Sequence, residues 1–286
     1  MSRLAVPKTY KLYIGGQFPR SESGRSYEIV GAGDRFLANA AKASRKDARD
    51  AVRAARAAQP GWARATAYNR GQVLYRVAEV LEGRRGQFAD EVAAVEGVAD
   101  AEALAEVDAA IDLWVWYAGW ADKFAQVMGN ANPVAGPYFN ISVPEPTGVV
   151  AAVAPQSRGT SLLGITAVVA PAILSGNSIV VVASERAPLS AISLSEVLAT
   201  SDVPGGVVNV LTGSPAEIAP WLASHADVNA LDLCGAERLE WVDLQIAAAQ
   251  TLKRVLTPEP GVPAATLERI GFFTETKTVW HTKSML

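Results

Sequence analysis

Apolar residues keep a helical rhythm from about residue 44 to about residue 128, and after residue 148 they gather into short β-branched runs. The opening YKLYIGGQFPRSESGRSYEIV alternates apolar and polar positions about Gly15-Gly16, which predicts a hairpin. Ser44, three residues before Asp47, reads as the N-cap of a helix that stops at Pro60-Gly61. A second helix is expected from about Thr66 to Leu81, with Leu74, Val77, Ala78 and Leu81 on one face. A third is expected over about Gln87 to Val98 and a fourth over about Ala101 to Met128. Trp114, Trp116, Tyr117 and Trp120 lie at helical spacing in the fourth and read as core packing rather than a ligand box. Residues 129 to 147 are rich in Asn, Pro and Gly around one alternating stretch, Tyr138 to Val143, which predicts an exposed strand or flap.

The segment Gly148 to Glu185 organises the second half of the chain. It reads as an apolar strand (Val149 to Ala154), a loop, a helix broken near Pro171, and a second apolar strand (Ile179 to Ala183). Such a βαβ unit is where a nucleotide site is expected, yet polar groups are scarce in it. Beyond it come a helix (Pro188 to Ala199), a strand (Val207 to Leu211), a helix (Ala216 to Ser224) and a short strand (Ala230 to Leu233). A helix over Glu237 to Lys253, a strand at Val255-Leu256, a Pro-rich linker and a last strand ending at Trp280 complete the pattern.

Composition narrows the function classes. The 286 residues carry a net charge of −3, with no basic excess to attract nucleic acid or anionic lipid. Residues 159 to 184 are uncharged, but Pro171, the Ser175-Gly176-Asn177 turn and the β-branched run after it argue against a membrane span. The first residues, MSRLAVPKTYK, show no apolar leader core. The single cysteine, Cys234, rules out an internal disulfide and fits a reducing cytoplasm. His225 and His281 have no metal-ligand spacing, so no metal is expected.

Four stretches, YKLYIGGQF, DAVRAARAAQPGW, GNSIVVVASERAPLSA with PGGVVNVLTG after it, and FTETKTVW, together resemble the aldehyde dehydrogenase superfamily, in the family's order. The resemblance implies an α/β fold: a Rossmann-like parallel sheet flanked by helices, with an N-terminal helical layer, a β-flap and a C-terminal oligomerisation strand. It divides the chain into residues 1–134 (hairpin and helices), 135–147 (flap), 148–256 (Rossmann-like domain), 257–271 (linker) and 272–286 (terminal strand). The family's catalytic domain, which bears the nucleophilic cysteine, is absent between linker and strand.

The family's functional positions are degenerate here. Its oxyanion asparagine falls on Ser157, and Arg158-Gly159 replaces an apolar residue and a proline. Its ribose-binding lysine falls on Val182 while the paired glutamate survives as Glu185, a loss of about 1–3 kcal/mol of cofactor binding. The phosphate-binding Thr-Gly-Ser becomes Cys234-Gly235-Ala236, with Gly235 retained, and a later glycine becomes Glu240. Glu240 reads either as a helix capped by its own acids or as a charge opposing phosphate. The general-base glutamate falls on Pro258, with Glu259 one place on. Cys234 lacks a base beside it in sequence and is not expected to act as a nucleophile.

The resemblance therefore implies a pseudoenzyme without catalytic residues, with NAD(P) only as a weak vestigial ligand. It is similar to the degenerate second module of aldehyde dehydrogenase family sixteen. Expected partners are a complete aldehyde dehydrogenase subunit, or a second copy joined through Tyr138–Val143 and Phe273–Trp280. The alternatives are a nucleotide-binding module with weak NAD affinity and, by family label alone, an NAD(P)-dependent aldehyde oxidoreductase.

Overall fold

A computed structural model of the chain describes Leu4 and residues 6–283. The leader reading of the first residues, and the outermost ends of the first and last segments, lie partly outside the described residues.

Gly15 and Gly16, at φ 62° and 80°, turn the chain so that Ile14 and Gln17 exchange backbone hydrogen bonds of 3.0 Å, the tight turn expected. Its arms then part: Tyr13 bridges to Val210 and Tyr10 to Ala40. Strand β1 (Ser26–Val30) pairs antiparallel with β2 (Phe36–Ala41), a second hairpin that the alanine-rich FLANAA does not announce.

Helix α1 (Arg45–Arg64) begins on the Ser44–Asp47 capping box. It does not stop at Pro60-Gly61. Trp62 is buried, and its indole N–H donates to the Ile173 carbonyl at 2.7 Å, which offsets the backbone bond that Pro60 forgoes. Helix α2 (Ala67–Gly83), capped by Thr66, buries the predicted Leu74, Val77, Ala78 and Leu81. Helix α3 (Arg85–Glu96) ends on Gly97 in the left-handed conformation. The predicted fourth helix is two, α4 (Asp100–Trp120) and α5 (Phe124–Met128), and the break lets both Ala121 and Phe124 turn inward. Trp114 and Tyr117 are fully buried in the core.

After β3 (Asn130–Asn132) and β4 (Tyr138–Pro146) the chain enters β5 (Val149–Val153), α6 (Leu163–Leu174), β6 (Ser178–Val182), α7 (Leu189–Ala199) and β7 (Val208–Leu211). Next come α8 (Pro215–Ser224), β8 (Ala230–Asp232), α9 (Trp241–Ala249), β9 (Arg254–Leu256), α10 (Leu267–Phe272) and β10 (Thr274–Thr282). Contrary to expectation α6 is unbroken at Pro171. The missing N–H leaves the Ala167 carbonyl free, and Arg269 Nε donates to it at 3.2 Å.

The large sheet is parallel, in the order β7-β6-β5-β8-β9, so the chain winds outward in both directions from β5. Alternate residues of β5 and β6 enter two cores. Val150, Ala152, Ile179 and Val181 pack on one side, while Val149, Ala151, Val153, Val180 and Val182 pack on the side of α1, α8 and α9.

A separate antiparallel sheet, β10-β4-β3, forms the flap. Three expectations change here. The linker proposed for 257–271 contains α10, which is anchored to the core. Phe273 is not a strand residue but a fully buried one, its carbonyl accepting from Asn177 Nδ2 (2.8 Å) and Thr147 N (3.1 Å). The terminal strand, expected as an oligomerisation strand, is paired within its own chain, Thr274–Thr282 with Pro146–Tyr138, which leaves one edge of β10 open.

Candidate functional site at the carboxyl edge of the sheet

A doubly wound sheet places ligands where strand order reverses, outside the carboxyl ends of its strands. Here that point lies between β5 and β8. The flanking loops are Ala154–Leu162 and Leu233–Glu240.

The first loop is tied down on every side. Gln156 Nε2 donates to the carbonyl of Ala154 (2.6 Å), and its Oε1 accepts from the backbone N–H of Glu185 (2.9 Å). Its amide thus spans the ends of β5 and β6. Ser157 is exposed and engaged with Thr160, whose hydroxyl donates to the Ser157 carbonyl at 2.8 Å. Arg158 turns away to the end of α3, donating from Nε to the Glu96 carbonyl at 2.8 Å. Arg186, in the loop after β6, donates to the buried Glu96 carboxylate. Both loops are therefore pinned to one helix end.

The amino terminus of α6 is the natural seat for an anion in such a unit. It is already filled. Glu106, a buried residue of α4, accepts from the backbone N–H groups of Leu162 (2.7 Å) and Leu163 (3.2 Å). Burial raises the Glu106 carboxyl above its ordinary range; those two donors pull it back, and the nearby Glu96 lifts it again.

The second loop closes on the first. Gly235 N and the Cys234 thiol both donate to the Val153 carbonyl, at 3.0 and 3.4 Å. A Cβ at Gly235 would lie 1.9 Å from the Ala154 carbonyl oxygen, so only glycine fits there. Ala236 is fully buried, in a turn where its N–H donates to the Leu233 carbonyl at 2.8 Å. Such turns consume the residues after β8 and delay α9, predicted from Glu237, to Trp241. Glu240 is exposed at the start of α9 and its side chain makes no cap bond, so the self-capped reading of that helix fails. It lines instead a cleft of about 450 Å³ between α8 and α9, with Ala216, Pro220, Arg238 and Asp243.

Among the other predicted positions, Val182 is fully buried within β6 and Glu185 is exposed. Pro258 is half-buried beyond β9, and the neighbouring Glu259 accepts from Arg269 at 3.2 Å. Cys234 is buried, and burial, then Asp232, push its thiol well above the usual range. His225 lies at the end of α8 and His281 in β10; neither is among the groups governing that thiol. Ser157, Glu185, Gly235 and Ala236 thus gather around the ends of β5 and β6, while Glu240 and Pro258 lie apart.

Three features escape sequence reading. Glu106 fills a helix end in another part of the chain. The Arg158–Glu96–Arg186 clamp was signalled only by an arginine where the resemblance implies an apolar residue. A fully buried ion pair joins Asp232 of β8 to Arg269 of α10. An aspartate inside an apolar strand was the available signal for that pair.

Residues 20–265 match the model of the aldehyde dehydrogenase family. The mitochondrial benzaldehyde dehydrogenase of Antirrhinum majus is 31% identical over 253 residues, 86% of this chain and 46% of that protein. Omega-crystallin of Enteroctopus dofleini is 30% identical, over 86% of this chain and 50% of its own length. The NAD+ complex of an aldehyde dehydrogenase from Bacillus cereus superposes with a TM-score of 0.81 at 26% identity, covering 87% of this chain and 50% of that one. The chain spans about half the length of the curated relatives it matches. No helix among the described residues is long and apolar enough to cross a membrane.

Proposed function

Because this chain belongs to the aldehyde dehydrogenase family, we propose that it is a silent member, an accessory subunit that adds its flap to a complete aldehyde dehydrogenase. The observation that carries the reading is the self-filled crevice. Glu106 occupies the amino end of α6, and the loop after β8 is bonded through Gly235 and Cys234 to the end of β5 at Val153. The residues present do not fit NAD(P) at its phosphates, and no catalytic step is assigned to Ser157, Pro258 or Cys234.

The open edge of β10 supports the partner. Phe273 accepts from Thr147, and Lys283 donates to Pro137, at the two ends of the β10–β4 register. Antiparallel ladders alternate, so the odd residues bond inward. Thr274, Thr276, Thr278, Trp280 and Thr282 then present their N–H and C=O groups outward, a template for an added strand. Localisation in the cytoplasm goes with this reading.

Calorimetric titration with NAD+ tests the reading. We expect no heat of binding up to millimolar cofactor, and no NADH on adding aldehyde. Micromolar binding, or aldehyde-dependent NADH from the chain alone, would overturn it. A second reading, a module with weak nucleotide affinity, is favoured by the α8–α9 cleft and its Arg238. Millimolar binding in the same titration, lost on filling that cleft, would select it. Co-elution with a complete aldehyde dehydrogenase from the same cell tests the partner, and separate elution rejects it.

A further inference from the structure

Away from the carboxyl edge, on a different face of α8 from the one that meets α9, lies a cleft of about 510 Å³ between the first turns of α1 and the end of α8. Ala48, Leu222 and Trp221 give it an apolar floor. Arg45, Lys46 and Arg49 stand on one side and His225 at the end of α8. A second hollow of about 330 Å³ shares Arg45 and Trp221 and adds Arg25 and Lys42. Both volumes fall within the range of small-molecule sites, roughly 300–1,000 Å³.

Charge singles this place out in a chain of net charge −3. The two hollows are lined by Arg25, Lys42, Arg45, Lys46 and Arg49 against a single carboxylate, Glu217. Glu217 already pairs with Lys42 at 2.7 Å, Glu22 with Lys46 at 3.2 Å, and Asp50 with Arg49 at 2.9 Å. Among the described residues Arg25 and Arg45 have no carboxylate partner. The acid closest in sequence, Asp47, is spent inward on Ser21, Glu22 N and Ser44 N.

Two details fit a ligand with a ring as well as a charge. The Arg45 guanidinium lies 3.7 Å from the centroid of the Trp221 ring, which is 41% exposed, so a flat cationic shelf is already assembled. His225 Nδ1 accepts from Asp227 N at 3.1 Å, which leaves the proton on Nε2 as a free donor.

We propose that this cleft binds a small phosphate monoester carrying a planar ring. The ring lies on the Trp221–Arg45 shelf, and the phosphate faces Arg45, Lys46 and Arg49. A guanidinium fork suits phosphate oxygens, and partial exclusion of water by Leu222 and Ala48 strengthens the pairing.

Adenosine 5′-monophosphate is the probe, titrated by calorimetry against the full chain at low salt. The expected result is submillimolar binding that weakens roughly tenfold in 0.3 M salt. Arg45→Gln and Trp221→Ala should each weaken it roughly tenfold while the chain still melts cooperatively, Arg45 being exposed and Trp221 41% exposed. Adenosine alone and inorganic phosphate alone should each bind less tightly than the monoester by at least a similar factor, on the order of tenfold. Ala216→Trp, which fills the α8–α9 cleft, should leave the affinity unchanged. No binding at millimolar probe, or binding that survives both shelf variants, overturns the proposal. Binding lost in Ala216→Trp but kept in Trp221→Ala assigns the ligand to the other cleft and also overturns it.

Discussion

Arg269 donates to Asp232 inside the core, with side chains only 6% and 0% exposed, and so fastens α10 to the central sheet. The same guanidinium caps the Ala167 carbonyl left open by Pro171 and reaches Glu259. A charge removed from such a pair strands its partner without water. Arg269→Met should therefore cost about 3–5 kcal/mol, whereas Arg269→Met with Asp232→Leu should recover most of that. Urea unfolding of the single and double variants measures both, and equal losses would contradict the buried-pair account.

Glu106 is the second lever. Glu106→Ala leaves the Leu162 and Leu163 N–H groups unpaired and should destabilise by about 1–3 kcal/mol, while Glu106→Gln keeps an acceptor and costs less. The carboxyl's folded pKa is raised, chiefly by burial. Its contribution is thus complete below the unfolded value, about 4.3, and fades as pH rises through the folded value. Stability should fall less as pH rises from about 4 toward neutrality in Glu106→Gln than in the parent chain. Parallel thermal melts across that range decide it.

Asn177 joins three parts of the fold with one side chain. Its Oδ1 accepts from Gly148 N (2.7 Å), and the two N–H groups of Nδ2 are shared among Ala172 O (3.1 Å), Ser175 Oγ (2.8 Å) and Phe273 O (2.8 Å). Asn177→Ala leaves several fully buried groups unpaired and should cost roughly 3 kcal/mol or more. A loss of unfolding free energy, from urea titration, of only about a tenth of that size would show that water replaces these bonds.

The outward-facing edge gives a paired test. Thr278→Pro removes an N–H that the β10–β4 ladder does not use, so melting should hardly change while strand addition by a partner is lost. Val279→Pro removes an inward N–H and should destabilise the flap by about 3 kcal/mol. Gel filtration with the partner and melting of each variant separate the two effects. If both prolines melted alike, the assigned alternation would be wrong.

Much of this fold was readable in the residues. The strands β5 and β6 announce themselves as runs of Val, Ile and Ala because burial on both faces leaves no polar alternation. The Ser44–Asp47 cap is a local device, and local devices are legible. What escaped depends on distant partners. Pro171 signals a helix break unless Arg269 is known to cap Ala167, and Phe273 resembles a strand residue until Asn177 claims its carbonyl. Glu106 lies in a largely apolar helix, and nothing nearby in sequence marks Leu162 as its target. For the same reason Glu240 resembled a cap, although the turns before α9 place its side chain over the α8–α9 cleft.

Strand β10 joins β4 across the whole Rossmann-type layer, with Phe273 seated in that layer's core immediately before the strand begins. Pairing of such large sequence separation closes late in folding, once the intervening layer has brought the two segments together. The open edge thus comes into being only on a chain whose interior is complete, and a damaged interior withdraws it. A partner of the kind proposed would meet that edge only on chains whose interior has already closed.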